Sequence, residues 1–233
     1  MPPPADPLSA AAGQAPALPG ADLPAPVVEL ALEAEAWADA LGGEDRVESL
    51  AARGAAMALA AAGIEAAGRA VSFLFADDAT VAGLNEFHRG KPTPTNVLSW
   101  PAWELGAGPS GLPDGTRPLA PPDPEPAPDL AGFPAMEDEG ESLGDLALAY
   151  ETCAREAEAM GLPLRDHALH LILHGTLHLL GYDHVREADA ALMEGLETQA
   201  MLAAGLADPY RSADDFEEAG RPAAAERTGS DGL

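Results

Sequence analysis

Three of the chain's six histidines, His174, His178 and His184, stand in one eleven-residue string, His-Gly-Thr-Leu-His-Leu-Leu-Gly-Tyr-Asp-His. A spacing of four places His174 and His178 one turn apart on a single helix face. Gly181 then ends the helix in a left-handed turn, and the reversed chain brings His184 back toward the same point. Three converging imidazoles leave a fourth position open, the ligand arrangement of a catalytic rather than a structural zinc. His170 precedes the string on the same helix, eight residues before His178, or about 12 Å along the axis. Zinc–nitrogen bonds are only about 2.1 Å, so one ion cannot be held by His170, His174 and His178 together. His170 is therefore read as a residue one turn below His174 that either supports the ligands from behind or lines the pocket, and His167 as a hydrogen-bonded core or surface imidazole. Residue 175 is Gly175, where a His-Glu-x-x-His protease carries its glutamate base.

The elements that must position these residues follow from periodicity and punctuation. Residues 1–25 are Pro/Ala-rich and read as disordered. Val27 to Leu32, Val71 to Phe75, Val97 to Trp100 and Gly144 to Tyr150 read as four strands. Helices are expected over 45–62, after a cap at Asp77 or Asp78, over 152–160, over 163–180 and over 187–204. The 163–180 helix carries the histidines and a broad apolar face (Leu169, Ile172, Leu173, Leu177, Leu180), so it should be central and buried. On the last helix Leu192, Leu196 and Met201 should face inward, with Glu194 and Glu197 on a solvated face. Gly54 weakens its helix without breaking it. Residues 101–142 form a Pro/Gly-rich insertion within a single domain spanning 26–210, and 211–233 read as a disordered acidic tail. Strands interleaved with helices indicate a mixed sheet packed by helices.

Composition narrows the function classes. A formal net charge of −27 opposes nonspecific nucleic-acid binding, which depends on neutralising phosphates. The insertion carries nine acids against one base, Arg117, so part of this charge lies outside the body. Any RNA contact must then be a local basic site. The single Cys153 excludes an intrachain disulfide framework and a multi-cysteine zinc module, and reads as a small buried apolar residue. No stretch approaches the roughly 20 apolar residues of a membrane span, and the N-terminus lacks a secretion signal. A cytoplasmic location is expected.

The eleven-residue string closely resembles the His-Gly-x-Leu-His-Leu-x-Gly-Tyr-Asp-His signature of the YbeY family, bacterial metal-dependent endoribonucleases of rRNA maturation. Three further segments fit: Leu84-Asn85-Glu86-Phe87-His88-Arg89, Thr95-Asn96-Val97-Leu98-Ser99-Trp100 and Leu143-Gly144-Asp145-Leu146. Departures are His88 before Arg89, Trp100 in place of Phe, and the long acidic insertion, which would hang near the strand flanking the site. The resemblance implies an α+β fold with a mixed, roughly four-stranded sheet, about five helices and a zincin-like central helix. It implies one Zn²⁺ held by His174, His178 and His184, with His174 also essential to catalysis and Arg89 required for RNA cleavage. The implied activity is single-strand-specific endoribonuclease action in 16S rRNA 3′ end processing and ribosome quality control. Implied partners are single-stranded rRNA and the small ribosomal subunit, with ribosomal proteins or a GTPase beside them, and neither membrane nor DNA.

The chemistry of the residues agrees with that reading. An open-sided zinc acidifies water and polarises a phosphoryl oxygen. The planar donor fork of Arg89 suits the charge developing on a phosphodiester, and Lys91 can add a phosphate contact. His170 would contact substrate from within the pocket. Asp183 serves turn geometry or partners an imidazole. Two other readings stand beside it. A metallopeptidase shares the His spacings of four and six but lacks the glutamate, and a ribosome assembly factor would use the zinc only as a brace.

Overall fold

The computed structural model describes residues 23–106, 115, 117–123 and 140–210. β1 (Val27–Leu32) alternates exposed and half-buried residues, as an edge strand should. α1 (Glu35–Leu41) and α2 (Glu44–Ala62) follow, then β2 (Arg69–Ala76), α3 (Asp78–Arg89), β3 (Val97–Pro101) and β4 (Glu141–Ala149). α4 (Tyr150–Met160), α5 (Leu164–Leu179) and α6 (Glu187–Ala203) complete the described chain. The sheet order is β1-β2-β4-β3, with β1, β2 and β4 parallel and β3 antiparallel to β4. This is the expected α+β architecture with a mixed four-stranded sheet.

The period of two along the strands sorts the core into two layers. Phe73, Phe75, Leu146 and Leu148 face a large cluster built with α1, α2, α5 and α6. Ala76, Ala147 and Ala149 turn to the opposite face, where Val81 and Leu84 of α3 cover them. The alanines at these three positions let α3 approach the strands, with Leu74, Leu98 and Trp100 completing that layer. α5 is buried nearly all round, between the sheet and α2, as its broad apolar face predicts.

The sequence pattern does not mark α1. The seven-residue helix places Trp37 in the core, its indole N–H donating to Ala76 O at 3.2 Å and its ring meeting Phe75 edge-on. Its helical period is too short to register, and the burial of one indole holds it. Gly54 also acquires a reason. A Cβ there would lie 2.4 Å from Ile172 Cγ2, so the glycine sets the close approach of α2 to α5.

The N-termini of α3 and α4 cap one another. Asp77 accepts from Thr80 N at 2.7 Å, as the sequence predicts for a helix start. Asp78 reaches across to accept from Thr152 N at 2.9 Å, while its own N–H donates to Glu151 Oε2 at 2.8 Å. These bonds orient α3, whose last residue is Arg89.

Candidate metal centre

Every ligand position traces to a local backbone cause. α5 lies against β3 and β4 so closely that a Cβ on Gly175 would sit 2.4 Å from Leu146 Cδ2 and 3.2 Å from Ser99 Oγ. The protease glutamate is thus excluded by the sheet as well as missing from the sequence. With Gly175 on the inner face, His174 and His178 come out together on the open side of the helix, half-buried. Gly181, at φ +85°, makes the expected left-handed turn. A Cβ there would also strike Gly106 N at 2.6 Å, so the turn is closed by backbone from the start of the insertion. Asp183 accepts from His184 N at 2.7 Å, the turn role read for it from the sequence.

The three imidazoles converge. One nitrogen from each of His174, His178 and His184 lies within 4.8 Å of the others. His178 Nδ1–H donates to Tyr182 O at 2.9 Å, and His174 Nδ1–H donates to Glu197 Oε1 at 2.9 Å. With both outer nitrogens turned to these acceptors, the two Nε2 atoms face one another 3.1 Å apart. In neutral rings both of these atoms carry lone pairs, which a shared cation would satisfy. Tetrahedral zinc with bonds of about 2.1 Å spaces its nitrogens by about 3.4 Å, so the donor set fits such an ion. Burial, then the neighbouring His174 and His184, holds the His178 imidazole down at about 4, in the neutral form a ligand requires.

Glu197 corrects the sequence reading. Expected on a solvated face, it is 0% exposed and accepts three hydrogen bonds. Besides His174, they come from His170 Nε2 at 2.5 Å and the Tyr210 hydroxyl at 2.6 Å, both to Oε2. Burial alone would push its carboxyl up, but the hydrogen bonds from His170 and His174 hold it at about 2. The outward register assigned to α6 misled: Met193 is fully buried while Leu192 is only half-buried. The one available signal was that Glu197 follows Met193 by a single turn.

The histidines open into a cavity of about 770 Å³. Arg89 stands on its wall, as do Ser99, Trp103, Glu104 and the backbone of Gly106. Arg89 is placed by the end of α3, where Gly90 adopts φ +68° and its N–H returns to Glu86 O. Buried Asn85 pins the following loop by donating to Thr93 O at 2.8 Å. Trp103 is tied down through its indole N–H to Ser142 O at 3.2 Å. The insertion's described residues hold to the body: Leu105 is buried, Leu119 N donates to Leu105 O, and Arg117 donates to Ala62 O. Its residues 107–114, 116 and 124–139 lie outside the described set, as do 1–22 and 211–233.

Two candidate substrate contacts are not brought to this wall. His170 lies beneath His174, bonded to Glu197 and packed edge-on against Tyr210 with ring centroids 5.8 Å apart. Lys91 is exposed in the turn after α3, beside the cavity rather than lining it. His167 is a core imidazole, as read, bonded to Glu156 Oε2 at 3.0 Å. Glu156 also accepts from Asn96 Nδ2 at 3.0 Å, linking α4 and α5 to the loop entering β3. Cys153 is buried, and burial, then Glu156, pushes its thiol well up. Among the described residues no helix is long and apolar enough to cross a membrane.

Comparison with known proteins agrees with this geometry. The sequence profile described as Endoribonuclease YbeY matches residues 35–205. Proteins named Endoribonuclease YbeY are similar over most of their length. The Dinoroseobacter shibae protein is 47% identical over 79% of this chain and 91% of its own. That of Ruegeria pomeroyi is 49% identical over 69% of this chain and 88% of its own. That of Cereibacter sphaeroides is 42% identical over 79% and 99%.

Proposed function

We propose that this chain, which belongs to the YbeY endoribonuclease family, is a zinc-dependent endoribonuclease that cuts single-stranded rRNA, acting in 16S 3′ end maturation and ribosome quality control. One observation carries the reading. Arg89 and the three-imidazole centre face a single cavity, while the position of a peptidase base is closed by the sheet. A phosphodiester needs a cation opposite the metal more than it needs a carboxylate beside it.

His174, His178 and His184 would hold the ion. When bound, zinc supplies Lewis acidity toward a phosphoryl oxygen and toward water. The chain's own groups do the rest. Arg89 presents a planar set of donors that bind the scissile phosphate and stabilise the charge that accumulates on it. Half-exposed Trp103, with its ring fixed by Ser142, offers a face on which an adjacent base stacks. Lys91 extends the positive rim of an otherwise acidic chain. Glu104 on the wall repels phosphate and narrows the approach to the Arg89 side. The chain would act in the cytoplasm on the small ribosomal subunit, with ribosomal proteins or a GTPase supplying affinity that its net charge opposes.

The test couples metal analysis to cleavage. Zinc-loaded protein should cut single-stranded rRNA, lose activity on chelation and leave casein intact. Arg89→Ala should lower kcat about 100-fold or more with metal content unchanged. His178→Ala should lose both metal and cleavage. Cleavage that survives both substitutions, or hydrolysis of casein without RNA cleavage, would overturn the proposal.

A further inference from the structure

We infer that Glu197 is the positioning residue of the metal centre, fixing the His174 imidazole through Nδ1 while His170 and Tyr210 fix Glu197. This rests on the reading of His174, His178 and His184 as metal ligands. The two carboxylate oxygens have separate tasks. Among the described residues Oε1 accepts from His174 alone, at 2.9 Å. Oε2 is anchored from the far side by His170 at 2.5 Å and by the Tyr210 hydroxyl at 2.6 Å. A carboxylate held by two donors on one oxygen cannot rotate away from its third. The proton is thereby kept on His174 Nδ1, and Nε2 faces His178 and the cavity.

The two helical ligands are supported unequally. His178 leans on the backbone carbonyl of Tyr182, which is neutral and part of the turn itself. His174 leans on an ionised group, which strengthens the imidazole as a donor in addition to orienting it. The network reaches from α5 across α6 to Tyr210, seven residues beyond that helix. Packing does not call for it. A pair of apolar side chains would join α5 to α6 at least as well, since desolvating a carboxylate offsets much of what its bonds return. The arrangement makes chemical sense as support for a ligand, and His170 belongs to that support rather than to the substrate surface.

The experiment compares the full wild-type chain with Glu197→Gln and Tyr210→Phe, each first stripped of metal. Zn²⁺ affinity is measured by competition with a chromophoric chelator, and the visible absorption of Co²⁺ reports ligand geometry. Glu197→Gln should bind Zn²⁺ about 10- to 100-fold more weakly and shift the Co²⁺ bands, with its metal-free thermal midpoint recorded alongside. Tyr210→Phe removes one of three donors and should weaken binding only severalfold. Nitrogen-15 imidazole spectra of the metal-free wild type at pH 8 should place the His174 proton on Nδ1, a readout that needs no variant to fold. A folded Glu197→Gln with affinity within twofold of wild type, or a His174 proton on Nε2, would overturn the inference. Failure of the wild type to bind either ion would overturn the metal-site reading and this inference with it, whereas metal binding without RNA cleavage would overturn only the ribonuclease reading.

Discussion

Adding a single methyl group at Gly175 should destabilise a helix that alanine would ordinarily favour. Glycine costs about 1 kcal/mol relative to alanine within a helix, so Gly175→Ala starts with that gain. Against it stands a Cβ placed 2.4 Å from Leu146 Cδ2, where apolar carbons rest at about 3.5–4.0 Å. Leu146 is 1% exposed and has little room to retreat, and overpacking of this kind costs about 1–3 kcal/mol. The net expectation is a loss of about 1 kcal/mol. Gly195 on α6 is the control, since a Cβ there meets nothing within 4 Å, and Gly195→Ala should stabilise by about 1 kcal/mol. In urea, with a slope of about 1–3 kcal/mol per molar, the two midpoints should part by roughly 1 M in opposite directions. Both are measured on metal-free protein, because metal loss would obscure the comparison. Gly175→Glu should be destabilised further, through a carboxylate forced against the sheet, and should gain no activity on casein. A Gly175→Ala variant that stabilises as Gly195→Ala does, or a Gly175→Glu variant that hydrolyses casein, would refute the argument that the sheet closes this position.

Gly181→Ala combines a left-handed φ with a clash against Gly106, so His184 should be displaced and Zn²⁺ affinity, read by chelator competition, should fall at least tenfold. In metal-free protein the His178 imidazole takes its proton near 6.5 when unfolded and near 4 when folded, through burial and then His174 and His184. The unfolded state binds more protons between these values, so stability is full above 6.5 and declines as pH falls through 4. Glu197, lowered from 4.5 to about 2, adds loss as pH falls through its folded value, and urea titrations at pH 7.5 and 5 should show a flatter dependence for His178→Asn. Cys153 is buried with its thiol pushed up, so a chromogenic disulfide reagent should react only after denaturation.

Much of the fold was legible because local patterns and tertiary packing agree. The four strands lie close to their expected places, except that β4 begins at Glu141 within the expected insertion and Tyr150 opens α4 instead of ending the strand. Asp77 caps α3 as its side chain predicts. α1 was hidden because seven residues hold too little periodicity, and one buried tryptophan supplies the reason it forms. At the site, spacing sufficed for His174, His178 and His184, since i to i+4 geometry and a glycine turn are properties of the chain itself. Spacing failed for Glu197 because a helix face is defined by what packs on it, and α6 rotates to bury Met193 in place of Leu192.

The amino-acid sequence by itself determined the three imidazoles, the turn that gathers them and the absence of a glutamate beside the first. These follow from residue type and from the fixed rise and pitch of a helix. Only the tertiary structure decided what surrounds them. The sheet occupies the space where a side chain at residue 175 would go, and α3 ends so that Arg89 meets the same cavity. α6 carries a buried carboxylate to the outer nitrogen of His174, and His170 turns out to grip that carboxylate. Those relations join residues far apart in the chain, and close packing between elements sets them.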